Sequence, residues 1–315
     1  MKIYFYAVLS VAVVRSSSAC DLCAVYSVAQ AHGEIGKGFS AGVAEQFTHF
    51  GTLQDNGVKV PNEVGQTLDS SISQMFVGYN FSEWFGVQFN LPLIYRSFKR
   101  PDGFAIDRGT ESGIGDVSLV AHWKAIHHEE MHRTFAWTLL GGVKLPTGSS
   151  DRLNEELSET EVEGTPESGI HGHDLALGSG SVDGIVGTGI FARSRRVFFS
   201  ANAQYAIRTT GSIDYRYAND LTWAGGPGVF LLFSEHDTLS LQFIISGETK
   251  PRDTFQGARA DDTGLTSVYL GPQINYTCSD RLSVEVGVDL PVSMSNTALQ
   301  LVPDWRVRAA VSWHF

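Results

Sequence analysis

The sequence predicts an all-β fold: an antiparallel, up-and-down transmembrane β-barrel of about twelve strands. The first observation is the stretch 304–315, where apolar and polar side chains alternate, as in a strand between lipid and water. The second is that short and long connections alternate along the chain. The third is composition: 33 Gly, 19 Phe and only 18% charged residues suit tight turns and aromatic girdles. Outside the N-terminus, no apolar run approaches the roughly 20 residues of a transmembrane helix.

The N-terminus has the pattern of a secretory signal peptide. Lys2 supplies a positive charge, residues 3–14 are mostly apolar, and residues 17–19 are the small residues of a cleavage site. The alternative is a lipoprotein signal in which Cys20 is acylated, although Ser17 stands where Leu is usual. We therefore divide the chain into a signal peptide (1–19), a periplasmic N-terminal segment (20–35) and an outer-membrane β-barrel (36–315).

Three cysteines remain after this cleavage: Cys20, Cys23 and Cys278. The first two form a C-x-x-C motif, but Ala24 stands where a haem-attachment motif has His. An oxidising periplasm favours a disulfide, and two of the three can pair. Cys278 is expected at the periplasmic rim, within reach of the extended N-terminal segment. The alternatives are a bond from Cys278 to Cys20 or Cys23, which loop length favours, and a local Cys20–Cys23 bond.

Strand-like segments follow one another from residue 36 to the end. The clearest is near 281–293, where five apolar residues alternate with polar ones or Gly. Glu45 and Gln74 interrupt this alternation in their segments, and we interpret them as marks of β-bulges. The predicted strands lie near 36–50, 65–80, 83–97, 113–126, 134–147, 180–193, 196–209, 220–234, 238–249, 264–278, 281–293 and 304–315.

The connections between these strands sort into two kinds that alternate strictly. An even strand count with short periplasmic turns and long extracellular loops is typical of outer-membrane barrels. With both termini in the periplasm, the long connections face outside. These predicted long loops are 51–64, 98–112, 148–179, 210–219, 250–263 and 294–303.

The longest loop, from Ser149 to Leu177, is rich in Asp and Glu. We expect a solvated loop that shields the barrel mouth or folds partly inward. It also contains His171, His173 and Asp174, which with another carboxylate would form a divalent-metal site, although this spacing matches no defined ligand pattern. We predict no metal and no cofactor.

Three short motifs resemble one family of proteins. Residues 113–119 resemble a G-x-G-D station, residues 142–148 a K-x-P-T-G station and residues 177–183 a G-x-G-S-x-D station. The family is the outer-membrane β-barrel family named after the meta-cleavage pathway of phenol degradation. The resemblance covers roughly residues 80–315 and implies an outer-membrane transporter for apolar or aromatic compounds. The last strand, with Trp313 and Phe315, also resembles the assembly signal of outer-membrane barrels, which implies the barrel-assembly machinery as a partner.

Several charged residues have the parity of the barrel lumen. Pairing about a turn near residue 130 places Asp116 opposite Lys144, and Asp183 begins the next strand near the same rim. These charges serve either as a structural clasp that fixes the strand register or as a constriction that selects solutes; we favour the clasp. The full set of lumen and rim candidates is Asp116, Lys144, Asp183, Arg96, Arg208, Glu285, Asp289, Arg306 and Arg308.

Charge and motif content exclude several functions. The net charge of −11 argues against nucleic acid as a partner. A twelve-stranded outer-membrane phospholipase exists, but we find no His-x-Ser pair on a strand and no G-x-S-x-G elbow, so we do not expect an enzyme. We expect a monomeric or loosely oligomeric barrel in outer-membrane lipid that lets small solutes pass, hydrophobic or aromatic ones among them. The alternative is a non-conducting scaffold that docks a periplasmic partner through its N-terminal Cys segment.

Overall fold

A computed structural model describes residues 37–158, 164–234 and 236–315 of the chain. They form the predicted closed antiparallel barrel of twelve strands, each paired with its neighbour in the chain. The strands are β1 (Gly38–Asp55), β2 (Thr67–Asn80), β3 (Phe85–Asp102), β4 (Ser118–Glu130), β5 (Arg133–Lys144), β6 (Asp183–Ser194), β7 (Val197–Ile207), β8 (Asp220–Phe233), β9 (Thr238–Lys250), β10 (Leu265–Cys278), β11 (Leu282–Asn296) and β12 (Leu299–His314).

The period-two pattern of the sequence places polar residues inside and apolar residues outside. On β11, Val286 and Val288 face outward, while Glu285 and Asp289 are buried toward the lumen. In this arrangement the backbone N–H and C=O groups of each strand pair with those of its neighbours, and an apolar wall faces lipid. Among the described residues, no helix is long and apolar enough to cross a membrane.

The barrel closes where β12 pairs with β1. The pairing runs from Ser40 opposite His314 up to Asp55 opposite Leu299, with irregularities at Phe50. At the lower end, the Phe315 amide donates to the carbonyl of Phe39 over 2.9 Å. The chain's first and last strands therefore hold each other, and neither leaves an open sheet edge.

Strands extend further on the extracellular side than the sequence pattern indicated. β3 continues to Asp102 and turns into a strand, Ala105–Ile114, that pairs back onto it inside the predicted loop 98–112. The predicted loop 294–303 is wrong: β11 and β12 are joined by the two residues 297–298. Leu299 to Val302 stay in strand conformation because they pair with the upper end of β1.

Two details of the predicted register were also wrong. Lys144 pairs with Ser118 and not with Asp116, because the turn is centred between Met131 and His132 and not near residue 130. Glu45 and Gln74 mark no bulge, since each holds regular pairing between β1 and β2. Glu45 instead breaks the alternation because an acidic side chain faces lipid.

The N-terminal predictions lie outside the described residues. These are the signal peptide (1–19), the segment 20–35, and Cys20 and Cys23 with their acylation and pairing. Cys278 is half-buried at the end of β10, at the rim with the short turns, as predicted from its place in the chain. Its choice of partner stays a prediction.

Candidate functional site

The lumen is the candidate site, and its wall is polar. The side chains predicted to face it from their parity are buried in the structure: Gln88, Asn90, Arg96, His122, Lys124, Gln204, Arg208, Gln242, Glu248, Gln273, Asn275, Glu285, Asp289, Arg306 and Arg308. They are mixed in sign, so the lumen contains no one-sided ladder of cations or anions.

The extracellular mouth is filled by the connection between β5 and β6. We call residues 145–182 the plug, of which 159–163 are not described. The plug contains a 3-10 helix, Asp151–Leu157, and a short helix α1, Gly172–Leu175. Leu153 and Leu175 are fully buried and Ile170 is 1% exposed, so the loop folds inward as one of the two predicted alternatives.

The plug covers an apolar track on the lumen face of β1, β2 and β3. In its upper part, Ile170 and Leu175 pack with Phe50, Leu68 and Phe98. Deeper in the lumen, Leu177 of the plug packs with a second set of residues on the track and on β12. This set consists of Ala44, Ile72, Ile94 and Ala310. The plug's apolar side chains thus cover two apolar clusters on one wall of the lumen, which a polar layer of Thr48, Ser70 and Arg96 separates.

Arg96 fixes the inner end of the plug to this wall. Its Nη1 donates to the carbonyl of Ala176 over 2.9 Å and also to that of Asp174. Buried carbonyls at the end of a four-residue helix need such partners, because the helix leaves them unpaired. Arg96, a predicted lumen residue, therefore binds the plug rather than open lumen.

The opposite wall carries a buried chain of charges that we call the clasp: Asp116, Lys144, Asp183, Arg208 and Asp220. Lys144 Nζ lies 2.5 Å from Asp116 Oδ2 and 2.9 Å from Asp183 Oδ2. Arg208 donates to Asp183 over 3.0 Å and to Asp220 over 2.8 Å. Every member is at most 5% exposed. Each cation is thus shared by two carboxylates, and Asp220 is a member that the sequence analysis missed.

Asp116 also holds both ends of the plug. It accepts hydrogen bonds from the amides of Gly148 and Ser179, each over 3.0 Å. The plug's two ends meet so closely that a Cβ on Gly178 would lie 2.5 Å from the carbonyl oxygen of Gly148. The glycines of the three motifs allow this close approach, which places the predicted rim residues at the base of the plug.

A second charged cluster lies on the wall of β11 and β12. Asp289 accepts from Arg306 Nε over 2.9 Å and from Arg308 Nε over 2.8 Å, while Glu285 lies 3.7 Å from Arg308 Nη1. Arg306 also lies over the ring of Tyr269 at 4.3 Å, a contact that the sequence analysis missed. The predicted residues of this wall are thus brought together and neutralise one another.

Next to the clasp, the lumen contains a cavity that is lined by four clasp residues, Asp116, Lys144, Asp183 and Arg208, and by neutral residues. Amide and hydroxyl groups of Gln74, Asn90, Ser118 and Gln204 line it, together with aliphatic residues. The aliphatic members are Pro92, Ile185 and Ala206. The carboxamide oxygen of Gln204 makes no hydrogen bond to the described residues. This surface can contact apolar carbon and donate or accept hydrogen bonds, and its charged side chains are paired with one another in the clasp.

The plug's histidines form an electrostatic cluster at the outer end of the site. His173 Nδ1 lies 3.0 Å from Glu156 Oε1, and His171 Nε2 lies 3.4 Å from Asp262 Oδ2. Burial would lower the pKa of His173, but Asp174, Glu156 and Asp262 outweigh it and raise that pKa to about 10. Burial would raise the pKa of Glu156, but its hydrogen bond and ion pair with His173 lower it. No group of described residues is arranged to hold a metal ion here or elsewhere.

Comparison with known proteins identifies the family. Residues 65–301 match the family model described as "Putative MetA-pathway of phenol degradation". The chain belongs to this family. The resemblance inferred from the three motifs is confirmed, and no curated protein matches the sequence.

Solved structures are similar to this family member to different degrees. An outer-membrane channel from Pseudomonas putida F1 superposes with a TM-score of 0.61 at 16% identity, covering 90% of this chain and 97% of that one. The β domain of the Bordetella autotransporter BrkA gives a TM-score of 0.46 at 9% identity, covering 88% and 99%. A Pseudomonas aeruginosa FadL homologue gives 0.38 at 10% identity, covering 90% and 91%. The closed barrel with an apolar outer wall belongs in the bacterial outer membrane, in contact with its lipid.

Proposed function

We propose that this barrel is a passage through which small, predominantly apolar solutes cross the outer membrane, and that the plug opens and closes it. The observation that carries the proposal is the apolar track, which the plug covers with Ile170, Leu175 and Leu177. A lumen meant only to be filled has no need of two apolar clusters on one wall under a loop. A solute with the same chemistry as these side chains would replace them on the track when the plug withdraws.

The charges of the lumen favour neutral solutes over ions. The cations of the clasp and of the β11–β12 wall are paired with carboxylates within about 3 Å, apart from the longer contact of Glu285. An ion that enters must compete with these pairs, whereas a neutral solute needs only the track and the cavity's amides. We also propose that the barrel catalyses no reaction on the solutes that pass.

The decisive experiment measures entry of an apolar probe into living cells. N-phenyl-1-naphthylamine becomes fluorescent in membranes and is excluded by an intact outer membrane. We expect wild-type protein to raise its entry over an empty vector. Leu177→Ala should raise it further, because the variant weakens the seal on the track. Val182→Ala is the matched control, since Val182 is an exposed apolar residue of the same plug.

A second variant tests the track itself. Ile94→Asn, made in the Leu177→Ala protein, should lower probe entry because it puts an amide on the track, while ion conductance in planar bilayers should not fall. Equal probe entry for empty vector, wild type and Leu177→Ala, at matched amounts of folded barrel, would contradict the proposal. That result would support the scaffold function instead.

A further inference from the structure

Between its two apolar clusters, the track carries four polar side chains that face the lumen together. Thr48 of β1 lies opposite Ser70 of β2, and Ser70 lies opposite Arg96 of β3. Gln46 lies on the same face of β1, two residues nearer the periplasm. All four are at most 6% exposed. We call Gln46, Thr48, Ser70 and Arg96 the donor layer.

Each member of the donor layer has a buried group without a hydrogen-bond partner among the described residues. These groups are the carboxamide of Gln46, the hydroxyls of Thr48 and Ser70, and Nε of Arg96. Every one of them can donate a hydrogen bond, and the guanidinium group can only donate. Buried polar groups in proteins are nearly always paired. A run of such donors on one face of the lumen therefore indicates a partner from outside the chain.

The plug shows which chemical group suits this layer. Arg96 Nη1 donates to the backbone carbonyls of Asp174 and Ala176, and within the described ranges Arg96 forms no ion pair. Leu175 and Leu177, on either side of Ala176, pack into the two apolar clusters. The inner end of the plug thus presents neutral carbonyl oxygens between apolar side chains. A solute that takes its place needs the same combination.

The spacing of the residues sets the size of such a solute. Phe50, Leu68 and Phe98 each lie two residues from a member of the donor layer, on its extracellular side. Two residues span about 7 Å of strand. A carbonyl oxygen held at Arg96 therefore places an attached apolar body of that length, such as a phenyl ring, against the upper apolar cluster.

The charge of the extracellular mouth disfavours an organic anion as the occupant. The plug sequence, residues 145–182, carries eight Asp and Glu residues but one Arg, and the whole chain has a net charge of −11. Fixed charge of the same sign at a narrow entrance opposes the entry of an ion. A neutral carbonyl compound meets no such barrier and still offers an acceptor to the donor layer.

We propose that the donor layer is a binding station for the carbonyl oxygen of a neutral, apolar solute, such as a ketone or an ester. The inference rests on the proposed function, because the solute reaches the layer only when the plug withdraws. Its oxygen then replaces the plug carbonyls at Arg96, and the neighbouring hydroxyls and the amide of Gln46 donate to it. Its apolar body lies on the clusters that Leu175 and Leu177 have left. The station selects among apolar solutes, which the apolar clusters alone do not do.

The test compares two solutes of the same shape, acetophenone and α-methylstyrene, in which a C=CH2 group replaces the carbonyl. Entry of the radiolabelled compounds into cells is measured above the empty vector, at matched amounts of folded barrel. We expect the wild type to favour acetophenone by about fivefold, as roughly one net hydrogen bond allows. Leu177→Ala should raise the entry of both solutes and keep this preference, because its donor layer is intact.

Two variants remove parts of the station. Arg96→Met also releases the plug but should lose the preference for acetophenone, so Leu177→Ala is its matched control. The hydroxyl-free variant, Thr48→Val with Ser70→Ala, should lower the preference without releasing the plug. Thr222→Val is the control for this variant, and it should match the wild type. Thr222 is a buried lumen residue of β8 whose hydroxyl also has no partner in the described part of the chain.

The outcomes separate this inference from the passage on which it rests. Equal entry of the two solutes through the wild type would overturn the station and leave the passage in place. An unchanged preference in Arg96→Met and in the hydroxyl-free variant, or faster entry of benzoate than of acetophenone, would do the same. If Arg96→Met gives no folded barrel, the hydroxyl-free variant decides alone. Entry of neither solute above the empty vector would overturn the passage itself, and the station with it.

Discussion

Lys144 is the residue on which the clasp depends most. It lies between two buried carboxylates, whereas Asp183 also has Arg208 and Asp116 also has two backbone amides. Removing one partner of a buried ion pair leaves an uncompensated charge and costs about 3–5 kcal/mol. We therefore expect Lys144→Met to lower the free energy of unfolding more than Asp116→Asn does. Urea titration of the protein in lipid vesicles, followed by tryptophan fluorescence, measures both.

A double-mutant cycle separates contact from general destabilisation. The Lys144→Met and Asp116→Asn changes should couple by about 1 kcal/mol or more, because they share one hydrogen bond. Asp116→Asn combined with Asp289→Asn is the control, since these residues lie in separate clusters and should add within about 0.5 kcal/mol. Coupling as weak in the first cycle as in the second would show that the 2.5 Å contact contributes nothing.

At the residue scale, the sequence predicted which side chains face the lumen but not how they connect. Parity alone assigns Arg208 and Asp289 to the interior, because strand side chains alternate strictly. The sharing of Lys144 by two carboxylates depends on the exact centre of the β4–β5 turn and on the path of the chain at Asp116, just before β4, neither of which has a local signal. For Glu45 the error lies in the backbone. Its polar side chain at an outward position predicted a β-bulge, but the backbone pairing there is regular.

The plug is the element whose position the sequence left open. Its acidic composition suits a solvated loop equally well, because the ion pairs that fix it inward join it to residues far away in the sequence. Arg100 of β3 pairs with Glu155 over 2.8 Å, and Arg152 pairs with Glu111 of the hairpin strand. The inward fold depends on these distant partners and on the apolar track. The local sequence signal for the inward fold is limited to the apolar residues near 170–177.

The plug's ion pairs predict a dependence of gating on pH. Because the pKa of His173 is raised, to about 10, its contribution is complete below about pH 6.5 and is lost as pH rises through 10. Because the pKa of Glu156 is lowered, its contribution is present above pH 4.5 and is lost as pH falls further. The groups facing His173 are His171, Asp174, Glu156, Asp262 and Tyr215. The plug should therefore be held most firmly at neutral pH.

Single-channel recording across the pH range measures this as the frequency of opening. We expect few openings near pH 7 and more at both pH 3.5 and pH 10.5. His173→Gln should open often at pH 7 and lose the alkaline rise. His236→Gln is the control, because this exposed histidine pairs with Asp280 at the far rim. An unchanged alkaline rise in His173→Gln would mean that another group titrates.

At the scale of the whole molecule, the barrel was predictable because many weak signals agree. Each strand's alternation, the even strand count and the spacing of turns point to the same closed wall. The long-loop rule failed only where a pairing partner was available, as for β12, whose upper end stays on β1 and leaves a two-residue turn. The sequence pattern therefore gives the number of residues between two alternating segments. It does not give how many of those residues lack a strand partner.

Closure between β1 and β12 makes the last strand the final requirement for assembly. Trp313 pairs with Ala41, and the Phe315 amide donates to Phe39, so deletion of residues 313–315 removes the lower end of the closing ladder. Phe315 itself is 76% exposed, so Phe315→Ala removes little packing. We expect the deletion to lower the yield of folded barrel both in cells and in refolding into lipid vesicles.

Phe315→Ala should behave differently in the two settings. Refolding into vesicles should proceed normally, because the main-chain bond to Phe39 remains. In cells the yield should fall, because the barrel-assembly machinery is expected to recognise the terminal aromatic residue. Heat-modifiable migration on gels reports the folded fraction in both cases, and Val311→Ala, an outward-facing truncation within the same strand, is the control. If Phe315→Ala matched Val311→Ala in cells, the last residue would not act as an assembly signal.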